Sequence, residues 1–91
     1  MVKYDVYFTK QADKDKKMIK QAGLEQKTRQ LIELISNNPF QTPPPYEKLI
    51  GNLDGFFSRR ISLQHRLVYQ VLEEEKAIKI LRMWTHYEHL N

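Results

Sequence analysis

One glutamate, three arginines, a late histidine and the tyrosine after it carry most of the chemical potential of this chain. Glu47 follows a proline-rich stretch, Arg59, Arg60 and Arg66 come soon after it, and His86 and Tyr87 lie near the end. Cleaving RNA without a metal needs parts of these types. A base takes the proton from the 2′-hydroxyl, cations steady the extra charge on phosphorus, and an acid protonates the leaving 5′-oxygen. A Glu, an Arg cluster and a His supply all three roles, each acid–base group contributing roughly 10²- to 10⁴-fold and a charge clamp roughly 10²- to 10³-fold. By residue type alone the same set also reads as surface charge plus a structural histidine, because most small proteins own these residues.

Other chemistries find less support. The chain has no cysteine, which excludes disulfides, thiolate catalysis and Cys-based zinc sites, and suits a reducing cytoplasm. No phosphate-cradling glycine loop, Ser/His/Asp triad or HExxH motif is present. His86 and His89 share an i, i+3 spacing but have no evident third ligand, so no metal and no cofactor is expected. No apolar run approaches the roughly 20 residues that span a membrane. Fifteen Lys plus Arg against 11 Asp plus Glu give a net charge of +4, which favours an anionic partner, nucleic acid above all.

The elements that must position these residues are legible from periodicity. With 91 residues the chain fits one compact domain, residues 1–91, of thin stability margin. Val2 to Phe8 alternates as a strand, and Thr9 caps the helix Lys10 to Ala22, whose thin apolar stripe is Ala12, Ile19 and Ala22. Gly23 stops it. A second helix runs from Leu24 to about Ser36 on the stripe Leu24, Thr28, Leu31, Ile32 and Ile35. Pro43 to Pro45 read as a stiff connector that delivers Tyr46 and Glu47.

Strands are expected at Phe56 to Ser62, His65 to Val71 and Ala77 to Trp84, the last nearly continuous in apolar character and so central and covered on both faces. A short extra strand near Glu47 to Ile50 is compatible with the pattern. Alternation puts Phe57, Arg59 and Ile61 on one side of their strand, and Ser58 and Arg60 on the other. An arginine on a half-apolar sheet face either pairs with a carboxylate or waits for an anion; no acidic residue stands between Phe56 and Leu72, so an incoming phosphate is a candidate for the strand arginines. The order β-α-α-β-β-β predicts an α+β domain, its two N-terminal helices packed on one face of a twisted, mainly antiparallel sheet.

The run Asn52-Leu53-Asp54-Gly55-Phe56-Phe57-Ser58-Arg59-Arg60-Ile61-Ser62, continued by His65-Arg66-Leu67-Val68-Tyr69 and by His86-Tyr87, resembles the YoeB/Txe branch of the RelE-like toxins. These are the toxin halves of type II toxin–antitoxin pairs, with a fold of the microbial-RNase type. The resemblance implies a ribosome-dependent mRNA endoribonuclease that leaves a 2′,3′-cyclic phosphate without a metal. It implies Glu47 as general base, Arg66 as phosphate clamp, His86 as general acid and Tyr87 as the residue that stacks on or orients a base. Arg59 and Arg60 would support RNA binding. Lys48 would stand in for a family lysine whose position holds Ile50. Implied partners are a YefM-like antitoxin, mRNA in the ribosomal A site, operator DNA only through the antitoxin, and a second copy of the chain.

The family usually ends in Arg-aromatic-His-Tyr. Here Met83, Trp84 and Thr85 separate Arg82 from His86, two residues more than usual, which leaves His89 as a rival acid. That shift also motivates an alternative: a non-catalytic basic module acting mainly in operon autorepression. His65, at a hairpin edge, reads as structural.

Overall fold

The computed structural model describes residues 3–49 and 55–85. Seven elements follow one another: β1 (Asp5–Phe8), α1 (Lys10–Gln21), α2 (Glu25–Asn37), β2 (Glu47–Lys48), β3 (Phe56–Arg60), β4 (Arg66–Leu72) and β5 (Ala77–Thr85). The strands form one sheet in the order β1-β5-β4-β3-β2. Only β1 and β5 are parallel. The short strand β2, compatible with the sequence pattern, is present at the sheet edge.

Thr9 joins helix to sheet. Its Oγ1 accepts from the Ala12 N–H at 3.1 Å, capping α1, and donates to the Leu81 carbonyl at 2.9 Å. At the other end of α1, Leu24 N–H reaches the Ile19 carbonyl and Gly23 N–H the Lys20 carbonyl. Gly23 takes a φ of 74°, the left-handed geometry such a helix stop requires. The buried stripe of α1 is Ala12, Asp15 and Ile19, whereas Ala22 is exposed. A carboxylate is tolerated there because Asp15 Oδ2 accepts from Arg82 Nε at 2.9 Å and from the Met83 N–H at 3.0 Å. The α2 stripe packs largely as its period predicts, with Thr28, Leu31 and Ile35 buried.

Both helices contribute to one core with a single sheet face. Ala12, Ile19, Leu31 and Ile35 meet Phe57, Ile61, Leu67, Tyr69, Ile78 and Ile80. The middle strand is β4, not β5. Along the first half of β5 burial alternates, with Ile78 and Ile80 buried and Lys79 exposed, so its apolar composition overstated two-sided cover. The second half of β5 is irregular. From Ile80 to Thr85 it takes five steps while β4 takes three from Tyr69 to Arg66, so β5 carries two residues in excess as bulges.

Candidate active site

Glu47 and Arg66 come together across the sheet. Glu47 pairs with Ser58 in register on β3, and Arg66 pairs with Arg60, so strand alternation puts all four on the face away from the helices. There Arg66 Nη2 lies 3.0 Å from Glu47 Oε1, and Arg66 Nη1 donates to Ser58 Oγ at 3.2 Å. The guanidinium is 16% exposed and the carboxylate 47%. The arginine is therefore held by its neighbours, while the carboxylate remains half-exposed. The two arginine strands hold no acid for this arginine, and its carboxylate partner comes from outside them, from β2. Ser58 was not singled out in the sequence; its place in the Ser-Arg-Arg run was the available signal.

The pair opens into a cleft of about 410 Å³ lined by Lys27, Pro44, Pro45, Tyr46, Glu47, Arg60 and Arg66. Three of these seven side chains are cationic and one is anionic, so the cleft suits a polyanion. Lys27 comes from α2, far from the others in sequence. Nothing in its local pattern distinguishes it from other exposed helix lysines, and only the folding of α2 against the proline stretch brings it here.

Arg59 does not join this cleft, which corrects its expected RNA contact. It shares the helix-side face with Phe57 and is fully buried. Its Nε donates to Tyr69 Oη at 3.0 Å, its Nη1 to the Pro44 carbonyl at 2.7 Å and its Nη2 to the Pro39 carbonyl at 3.0 Å. Tyr69 Oη in turn donates to the Pro39 carbonyl at 3.0 Å. Burial pushes the Tyr69 phenol pKa upward, an effect that Arg59 opposes. Phe40, Tyr46, Phe57 and Tyr69 pack edge-on or tilted around this nest, and the guanidinium lies 4.9 Å from the Tyr46 ring centre. Arg59 thus pins the proline stretch that delivers Glu47.

Lys48 also departs from its expected place. It is the next residue after Glu47 on β2 and pairs with Phe57, so alternation turns it to the other face, and it does not line the cleft. Arg60 does line it and is exposed. His65 stacks on Trp84, ring centres 3.8 Å apart and planes at 15°, and its Nδ1 lies 3.0 Å from the Trp84 carbonyl. His86, Tyr87 and the rival His89 lie outside the described residues. The last described position, Thr85, has Arg66 as its register partner. One of the two excess residues of β5 falls between Ile80 and Arg82 and the other between Arg82 and Thr85, so only the second lies within the lengthened spacing from Arg82 to His86.

Known proteins share this fold. The family model described as "YoeB-like toxin of bacterial type II toxin-antitoxin system" matches residues 3–87. A protein named Toxin YoeB from Synechocystis sp. is 38% identical over 74 residues, 81% of this chain and 77% of that relative. Among solved structures, a YoeB–YefM complex from Staphylococcus aureus superposes with a TM-score of 0.77 at 36% identity, covering 92% of this chain and 98% of that one. A YoeB dimer from the same organism gives 0.79 at 35% identity, over 93% and 99% of the two chains. The matched span contains both the strands that build the cleft and the helices that back it, and the chain belongs to the YoeB-like toxins of bacterial type II toxin–antitoxin systems.

Proposed function

We propose that this toxin is an endoribonuclease that cuts mRNA on the ribosome. The observation that carries the proposal is the Glu47–Arg66 pair at 3.0 Å, opening into a cation-lined cleft. In the reaction Glu47 takes the proton of a 2′-hydroxyl. The oxygen attacks the adjacent phosphorus, the 5′-oxygen departs with a proton from the acid, and a 2′,3′-cyclic phosphate and a 5′-hydroxyl remain. Arg66 stabilises the charge that builds on the phosphoryl oxygens. Arg60 and Lys27 guide the flanking phosphates. His86, the residue after Thr85, is the proposed acid, and Tyr87 stacks on a base.

The toxin acts in the cytoplasm and is held inactive by a YefM-like antitoxin, the kind of partner seen with the Staphylococcus aureus relative. It reaches operator DNA only through that antitoxin, and it can pair with a second copy, as the dimeric relative does. Primer extension on transcripts after induction tests the activity. Discrete cuts inside coding regions, with cyclic phosphate at the upstream 3′ ends, are expected. Intact messages would overturn the proposal in favour of a non-catalytic binding module.

A further inference from the structure

The bulged end of β5 is fastened from two sides. Asp15 holds Arg82 and the Met83 N–H from the helix layer. Trp84 is held by the residue just before β4, through both the His65 ring stack and the contact of His65 Nδ1 with the Trp84 carbonyl. A carbonyl only accepts, so Nδ1 carries the hydrogen of that bond. His65 directly precedes Arg66 in sequence, and Trp84 directly precedes Thr85, the register partner of Arg66. One backbone step therefore separates the clamp on β5 from the guanidinium that holds Glu47.

We infer that His65 is a positioning residue: by clamping Trp84 it fixes where β5 ends relative to Arg66, and so the point from which the chain runs on to the proposed acid. It touches no substrate in this role. The inference rests on the endoribonuclease reading above. It also gives the bulges of β5 a consequence. A strand lengthened by bulges needs an added restraint to deliver its end to a fixed place, and Trp84, one of the residues in the lengthened spacing, supplies the ring on which His65 acts.

Trp84 is the only tryptophan of the chain, so its emission reads the stack directly. Three variants separate the two contacts. His65→Phe keeps a ring and loses the Nδ1 donor, His65→Asn keeps a donor and loses the ring, and His65→Ala loses both. Each is compared with wild type and Arg66→Ala by Trp84 emission, thermal unfolding, and single-turnover cleavage of mRNA on saturating ribosomes.

His65→Ala is expected to change Trp84 emission and to lower the cleavage rate roughly 10- to 100-fold, as a misplaced catalytic group would, with half-saturation within about 2-fold. Phe and Asn should recover intermediate rates while remaining folded. A normal rate in folded His65→Ala overturns the inference. So does a loss confined to half-saturation, which would make the ring a contact for the bound RNA. If wild type does not cleave, or Arg66→Ala cleaves as wild type does, the endoribonuclease reading itself falls and takes the positioning role with it. Emission would then still report whether the clamp exists.

Discussion

Two arginines one strand apart have opposite fates in this molecule. Arg59 is completely buried on the helix-side face, its charge met by two proline carbonyls and a tyrosine hydroxyl, with no carboxylate among those bonds. Arg66 stands on the other face, bonded to Glu47 and Ser58 at the mouth of a cleft. Strand alternation alone separates them. A buried guanidinium whose three nitrogens each donate to an acceptor is a structural rivet, and removing it strands several groups at once. A guanidinium paired with a half-exposed acid contributes little to stability. The two regions are linked, because the rivet holds the stretch from Pro39 to Tyr46 that brings Glu47 to the cleft.

The comparison makes graded predictions for stability. Arg59→Ala should have the largest effect. It removes three hydrogen bonds from a charged donor, each worth about 1.5 to 3 kcal/mol, in a domain whose total stability is about 5 to 15 kcal/mol. Denaturant melts should show a chain that is unfolded or nearly so. Arg59→Lys should recover little, since an ammonium does not reproduce the planar fork. Asp15→Ala should come next, at about 3 kcal/mol, because it leaves Arg82 and the Met83 N–H without their shared acceptor.

Tyr69→Phe should cost about 1 to 3 kcal/mol near neutral pH, by orphaning the Arg59 Nε donor. It should also alter the alkaline limb. Burial raises the folded-state pKa of Tyr69 above its ordinary 10.0. The stabilisation from keeping this phenol neutral is therefore complete below that value and is lost as pH rises through the folded-state pKa. Wild type should lose stability more steeply than Tyr69→Phe above about pH 10, as followed by urea midpoints across pH. Glu47→Gln should have the smallest effect, under about 1 kcal/mol, or a Tm shift of no more than roughly 8 °C in a domain of this size. A Glu47 variant as unstable as Arg59→Ala would erase the distinction between the two regions.

Much of this was legible before the structure. The helical periods of α2 and the alternation around Phe57 and Arg59 fixed which residues share a face, and Thr9 and Gly23 marked the ends of α1 through local chemistry. The nature of each face was less accessible. Alternation placed Arg59 with Phe57 and Ile61, but only its bonds to Pro39, Pro44 and Tyr69 show how a cation satisfies itself there. Those acceptors are a tyrosine hydroxyl and backbone carbonyls, and carbonyls leave no mark in a sequence. Asp15 was hidden likewise, since its burial depends on a partner in β5. Lys27 entered the cleft through tertiary packing, and the partner of Arg66 came from β2, a strand of two residues that periodicity barely registers.

The central claim is that Glu47 and Arg66 form a site for cutting RNA and not a structural ion pair. The most direct measurement is single-turnover cleavage of ribosome-bound mRNA by Glu47→Gln, with thermal unfolding of the same sample. The account predicts a folded protein whose rate falls about 10²- to 10⁴-fold, the contribution of a lost general base. Cleavage at the wild-type rate by that folded variant would contradict it.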